Sequence, residues 1–431
     1  MSKNTMLDNE INTLNYALAL DKADPIAHMR EHFAIPKQAS GENEYYFTGN
    51  SLGLQPKLAR EAVIELLDAW QQRGVKGHFE GDFPWMPYHE FLTEQAAEIV
   101  GALPKEVVMM NSLTANLHFM MASFYQPAKQ RSKILIEDHA FPSDHYAVES
   151  QLKHHGKDVE NNLLLWKPRD GEELLNYDDL WQIIAQHGDE IALILLPGVQ
   201  YYTGQVLDMK LITQVAHAKG IKVGFDLAHA AGNIELSLHD WQVDFACWCS
   251  YKYLNSGAGS VAGCFIHQKH VENTELNRLA GWWGHDKSTR FKMENTFKPI
   301  ASAEGWQLSN PPVLSLAAVR GSYDTIKLAG GMQVLRNKSL KLTQYLLDLI
   351  ALELGEKIRV ITPADANQRG CQLSLMVNVA GLDGKAMYNT LEENGITTDW
   401  REPNVIRVAP VPLYNNFQDV YHFVRILKEC I

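Results

Sequence analysis

Asp244-Phe-Ala-Cys-Trp-Cys-Ser-Tyr-Lys-Tyr-Leu-Asn255 joins a short apolar run to one lysine held between two tyrosines. Phe245 to Cys249 has the length and composition of a strand buried on both faces, as in a parallel sheet. Lys252 then stands at the mouth of that strand, where it loses hydration. Losing water favours the uncharged amine, and the uncharged amine is the nucleophile. Taken alone, the residue leaves a second role open: a surface lysine with its stem on apolar neighbours and its charge in water.

Lys222-Val-Gly-Phe-Asp-Leu-Ala-His229 is another apolar strand, with Asp226 at its carboxyl end. An acid at one strand end and a lysine at the next suit pyridoxal phosphate. The lysine amine makes a Schiff base with the cofactor, and the aspartate keeps the pyridine nitrogen protonated so that the ring accepts electrons. Three segments, Gly224-Phe-Asp-Leu-Ala-His229, Trp248-Cys-Ser-Tyr-Lys-Tyr-Leu-Asn255 and Arg407-Val-Ala-Pro-Val-Pro-Leu-Tyr414, resemble the kynureninase family. The likeness runs from about Asn50 to the C-terminus. It implies an α/β protein of pyridoxal-phosphate fold type I, with a mostly parallel sheet between helices and a smaller C-terminal α+β domain. It also implies hydrolysis of L-kynurenine, or its 3-hydroxy form, to anthranilate or 3-hydroxyanthranilate plus L-alanine.

The bounds set by composition agree with an enzyme of small molecules. At 431 residues the chain has room for two domains and a large core. A net charge of −12 argues against nucleic acid as the main partner, because phosphate neutralisation needs clustered Lys and Arg. No apolar run is long enough to span a bilayer, and Met1 to Asp8 carries no signal-peptide pattern. The five cysteines, Cys247, Cys249, Cys264, Cys371 and Cys430, are odd in number and form no Cys-x-x-Cys pair. Free thiols in a reducing compartment, and hence a cytoplasmic enzyme, are expected.

Along the chain, residues 5–45 read as a polar helical segment broken at Asp24-Pro25, packed on the small domain. Residues 46–313 are expected to form the large cofactor-binding domain, and 314–431 the small one. Strands are expected at Tyr45 to Phe47, Val107 to Met110, Ile134 to Glu137, Ile191 to Leu196, Lys222 to Phe225, Phe245 to Cys249 and Val261 to Ile266. Helices are expected over Leu58 to Gln72, from Asn111, after Phe141 and over Asp208 to Lys219. A long helical region spans Leu314 to Leu354, an alternating strand Gln372 to Asn378, and a last helix Phe417 to Lys428. Alternating strands and helices imply ligands beyond the carboxyl ends of the strands, where Thr114, Asp144, Asp226 and Lys252 stand.

Ser112 and Thr114 open a helix, where free N–H groups and hydroxyls suit a phosphate or serve as an ordinary cap. The resemblance assigns Leu113 and Thr114 to the cofactor, places Phe141 over its ring, and adds Asp144 and His229 around Asp226. Asn255 to Gly263 contains Gly-x-Gly-x-x-Ala, but it runs into a strand rather than a helix, so it is not a dinucleotide fingerprint. Arg407, in a β-patterned segment, suits bidentate capture of a carboxylate, or else an edge-strand ion pair. The resemblance makes it the anchor of the substrate α-carboxylate, Tyr251 a cofactor contact and proton shuttle, and His78 a neighbour of the substrate ring. It also makes Trp282 and Asn310 residues that reach the site of a neighbouring subunit, and so implies a homodimer. One departure stands out: relatives carry a hydroxyl where this chain has Pro197, with Tyr201, Tyr202 and Thr203 as nearby replacements. Two other readings remain: a cysteine desulfurase, which needs a mobile nucleophilic cysteine, and a cofactor-binding regulator, which needs a basic nucleic-acid module.

Overall fold

The computed structural model describes residues 11–273 and 275–431. Its centre is a seven-stranded sheet. In chain order the strands are β1 (Val107–Met109), β2 (Lys133–Glu137), β3 (Leu163–Trp166) and β4 (Ile191–Pro197). Then come β5 (Lys222–Asp226), β6 (Phe245–Trp248) and β7 (Gly263–Ile266). Across the sheet the order is β1-β7-β6-β5-β4-β2-β3, and β7 alone runs antiparallel to its neighbours. Successive side chains point to opposite faces, so Ile194, Val223 and Phe225 fill one apolar layer while Leu193, Phe245 and Cys247 fill the other. Helices cover both faces, which is why these strands read as continuous apolar runs.

The second unit is C-terminal. A four-stranded antiparallel sheet orders β8 (Ile358–Val360), β9 (Leu373–Val377), β10 (Asp399–Arg401) and β11 (Val405–Val408) as β8-β9-β11-β10. It packs with the helices Met332–Glu353 and Phe417–Glu429 around Leu346, Leu373, Ile406 and Phe423. Ala17 and Phe47 are buried in the same cluster. Asp21 accepts from the Phe417 N–H at 2.7 Å, and Lys338 meets Asp24 at 2.8 Å, so the N-terminal segment is tied to these helices.

Three expectations need correction. Residues 33–44 are not helical. The helix Leu14–Ala23 ends at Asp24, one 3₁₀ segment covers Ala27–His32, and extended chain with turns follows to Tyr45. The part of that expectation before residue 11 lies outside the described residues. The region from Leu314 to Leu354 is two helices, Val313–Leu328 and Met332–Glu353, because Gly330 and Gly331 take φ of 92° and 81° and turn the chain. Strand β3 and the helix Tyr177–His187 were not anticipated.

The opening stretch is anchored from below by Asp244, which is fully buried. It accepts from His270 Nε2 at 2.6 Å, His217 Nε2 at 2.8 Å and the Val223 N–H at 2.9 Å, and pairs with Lys269 at 3.2 Å. Burial opposes its ionisation, but the two histidines and the charges of Lys222 and Lys269 hold the carboxyl well below its usual range. Asp244→Asn should therefore cost about 3–5 kcal/mol, the usual loss when one partner of a buried ion pair is removed. A depressed carboxylate contributes its stability above the unfolded value of about 3.9 and loses it as pH falls through the folded one. Urea unfolding should show the full gap between wild type and variant from pH 7 to 5, narrowing below about pH 4. A gap that persists unchanged in acid would mean that charge is not its source.

Candidate active site

The carboxyl ends of β1, β2, β4, β5 and β6 meet at one cavity of about 310 Å³. Leu113, Thr114, Phe141, Asp144, Asp226, His229, Tyr251, Lys252 and Arg407 all line it, so nine of the residues singled out in the sequence share one space. The parallel topology is the cause: each strand delivers its following loop to the same edge. Lys252 sits on a turn clamped by the Gly49–Gly53 loop, where the Gly53 N–H donates to the Tyr251 carbonyl at 2.8 Å. A Cβ at Gly53 would fall 2.3 Å from the Lys252 carbonyl oxygen, so that close approach requires glycine.

Lys252 Nζ lies 2.9 Å from His229 Nε2 and 6.0 Å from the centre of the Phe141 ring. Burial, together with the charges of Lys252, Arg407 and Arg401, holds His229 well below its ordinary value. The imidazole is therefore neutral, its Nε2 accepts from the amine, and its buried Nδ1 has no partner among the described residues. Asp226 is buried at the end of β5 and takes the Ala228 N–H at 2.6 Å. It also shares a hydrogen bond with Asp144, which raises Asp144 and lowers Asp226. Burial pushes both carboxyls up, Asp144 the further, so that the pair holds a proton more tightly than two separate carboxyls would.

Two arginines approach from the small domain. Arg407, 1% exposed, donates to Asp399 through Nε at 3.0 Å and to the Tyr201 carbonyl at 2.8 Å. Arg401 shares the same Asp399 at 3.1 Å and also lines the cavity. Two guanidiniums on one carboxylate leave a net positive charge beside the lysine, which is where an anionic group would bind. Arg401, Asn50, Ser51 and Glu137 escaped the sequence reading. Arg401 had a signal, since β10 lies beside the strand of Arg407, but nothing local revealed the other three.

Similarity to known proteins follows this geometry. Residues 335–427 match the family model described as the kynureninase C-terminal domain. A kynureninase of Flavobacterium psychrophilum is 49% identical over 97% of this chain and 98% of its own length. One from Koribacter versatilis is 51% identical over 96% of each chain, and one from Xanthomonas campestris 52% over 95% and 96%. The chain belongs to the kynureninase family. Among solved structures, a C-DES variant with glycine covalently linked to its PLP cofactor superposes with a TM-score of 0.76 at 17% identity. It covers 93% of this chain and 99% of its own. The Escherichia coli cysteine desulfurase CsdA gives 0.73 at 17%, covering 94% and 98%. Identities this low speak for the fold alone, and that fold is the type I fold of pyridoxal-phosphate enzymes.

The cavity fits that group on its own chemistry. It offers one lysine amine, a pair of buried carboxyls at its base and an aromatic face. The helix Leu113–Phe124 adds an N-terminus whose Ser112 makes no side-chain cap. Asn50 Oδ1, Glu137 Oε2 and His229 Nδ1, buried and without partners among the described residues, add groups that a polar ligand would satisfy. Of the three residues near Pro197, Tyr201 alone lines the cavity; Thr203 turns away to bond Gln200. Hydroxyls of Ser143 and Ser260 are also present.

Three further residues do not join the kynureninase-like cluster within one chain. Trp282 is 41% exposed and packs on Trp283 and Phe291 at 5.0 and 6.0 Å. Asn310 is exposed, and His78 rests edge-on against Trp85 at 5.2 Å. None of the three lines the cavity. The desulfurase reading finds no support either, since Cys371 is buried and its thiol is pushed up to about 12 by that burial.

Proposed function

We propose that this chain is a pyridoxal-phosphate enzyme that hydrolyses L-kynurenine, or its 3-hydroxy form, to the corresponding anthranilate and L-alanine. The observation that carries the reading is one cavity holding Lys252, Asp226 and the Arg401–Arg407 pair in a chain of this family. When bound, the cofactor supplies an aldehyde that captures the substrate amine and a ring that withdraws electrons from the α-carbon. Asp226 would hold a proton at the ring nitrogen, with Asp144 donating to it from behind. Leu113, Thr114 and the helix N-terminus would cradle the phosphate, and Phe141 would cover the ring.

Arg407, assisted by Arg401, would fix the substrate α-carboxylate and so orient the α-hydrogen toward Lys252. The Lys252 amine, positioned by its contact with His229, would take that proton. Tyr251 would then move protons at the γ-carbonyl hydrate as the Cβ–Cγ bond breaks. Purified protein supplied with pyridoxal phosphate and kynurenine should develop anthranilate fluorescence; no fluorescence would overturn the reading. A cytoplasmic enzyme belongs to the same proposal, supported by five unpaired cysteines.

Arg407→Ala should weaken kcat/KM by about 2–5 kcal/mol, the range for truncating one partner of a buried charge pair. The fold should survive, because Asp399 keeps Arg401 as a partner. Steady-state kinetics would decide it: a change under tenfold, about 1.4 kcal/mol, would remove Arg407 from the anchor role.

The active unit we propose is a homodimer with shared sites. Trp70 and Leu314 are exposed and face one apolar groove with Trp85, the ring that also holds His78, and Asn310 lies just upstream of Leu314. A second copy seated there would cover the groove and bring Asn310 and His78 toward its own cavity. Mixing inactive Lys252→Ala chains with inactive Asn310→Ala chains should then restore part of the activity. No recovery despite demonstrated subunit exchange would exclude the shared site.

A further inference from the structure

Glu137 ends β2 and is 2% exposed, yet none of the proton transfers above uses it. The residue lines both the active-site cavity and a second cavity of about 300 Å³. Glu137 and Tyr201 form the partition between the two. The Oε1 atom lies 3.5 Å from Gln200 Nε2, and the buried Oε2 has no partner among the described residues. Gln200 is not free to turn. Its Oε1 accepts from the Tyr202 and Thr203 N–H groups, each at 2.7 Å, so its NH₂ must face Glu137 and the His139 carbonyl. A held amide thus faces one carboxyl oxygen, and the other is buried without a partner among the described residues.

The charges around this group differ on its two sides. From β5 and the helix Pro142–His154 come Asp226 and Asp144, with Lys252 and the two arginines across the inner cavity. The outer cavity is walled by His139, Glu172, Glu173 and Glu402, and of these His139 is 69% exposed. The acidic outer wall therefore reaches water. Burial pushes the Glu137 carboxyl up to about 8; the Gln200 bond opposes that shift and the charge of Asp226 adds to it.

We propose that Glu137 carries the proton released by the hydrolysis from the active-site cavity to the outer cavity. This rests on the activity proposed above. In that reaction Cβ–Cγ breaks, while Cγ–O and Cβ–H bonds form from one water. The new aryl carboxylic acid then ionises. Kynurenine enters and alanine leaves as ammonium carboxylates, so each turnover must discharge one proton. Nothing is oxidised or reduced. One Glu137 oxygen takes the proton from the inner side, and the carboxyl gives it up to water in the outer cavity.

Glu137→Gln keeps the shape and can still accept from Gln200, so the fold should hold. The carboxylate is the accepting form, so wild-type kcat should rise with pH through about 8. In the variant that rise should vanish and kcat should fall about tenfold with KM nearly unchanged, less than the 10²–10⁴ of a group at the reacting atoms. Glu137→Asp, which retains a carboxyl, should recover a pH-dependent rise. Independently of turnover, infrared spectra of the apoprotein should show a buried carboxylic-acid carbonyl band that titrates near pH 8 and is missing from Glu137→Gln. An active wild type whose rise and rate survive in Glu137→Gln overturns the proposal. So does a variant that is slower but keeps the rise, which would make Glu137 a packing residue. Absence of anthranilate from the wild type would instead overturn the activity, and with it the need for a carrier.

Discussion

Lys252→Ala chains are expected to lose all borohydride-fixed pyridoxal phosphate and to make anthranilate at least about 10⁴-fold more slowly, the upper worth of one positioned proton-transfer group. Among the described residues lining the cavity, Lys252 is the sole lysine. The two arginines there cannot substitute, because a guanidinium stays protonated and is no nucleophile. The loss should be one of chemistry and not of fold. Lys252 is only half-buried, and its turn is held by the Gly53 and Asn255 N–H groups bonding the Tyr251 and Lys252 carbonyls at 2.8 and 3.0 Å. Cofactor should still bind without a covalent link, held through the helix N-terminus and Asp226. Reduction with borohydride followed by peptide mapping checks this: a pyridoxyl label on any other lysine would reassign the nucleophile.

The strand-end residues were legible because their signal is local. A buried parallel strand must be apolar along its length, so Asp226 and Lys252 announce themselves at its ends, and the topology then has no choice but to bring those ends together. The same logic failed for Glu137. It too ends an apolar strand, but an acid there reads as an ordinary return to solvent unless the opposite wall is known. That wall is Gln200, 63 residues away, held by its own loop. Asn50 is similar, since its burial depends on Gln372 of the small domain, which it meets at 2.9 Å. Residues 33–44 were misread for another reason. Their polar composition fits a solvated helix, but Pro36 and Gly41 (φ 91°) stop one, and Tyr45 pairs with Ile396 some 350 residues on, a contact no local pattern encodes. His78, Trp282 and Asn310 differ again: they belong to the resemblance, and their place in the chemistry depends on a second copy of the chain.

Tyr251→Phe should slow anthranilate formation by about 10²–10⁴-fold while leaving cofactor attachment intact. Hydrolytic cleavage needs protons moved at the γ-carbonyl hydrate and at the departing carbon, and the phenol is the acid beside Lys252 in the cavity. Burial, helped by the neighbouring Cys249 thiol and the charge of Asp226, pushes that phenol up from its ordinary value. It therefore stays protonated through the neutral range and serves as a donor. The competing role is a plain hydrogen bond to the cofactor phosphate. The two roles separate on one substrate atom. If Tyr251 acts only after the α-proton has gone to Lys252, Tyr251→Phe should still exchange the α-hydrogen of kynurenine with deuterated solvent at the wild-type rate, though product appears slowly. Exchange followed by NMR, beside product fluorescence, tests this directly. Normal product formation with looser cofactor binding would make Tyr251 a phosphate ligand, and exchange slowed as much as product would place it at the first proton transfer instead of at the carbon–carbon bond.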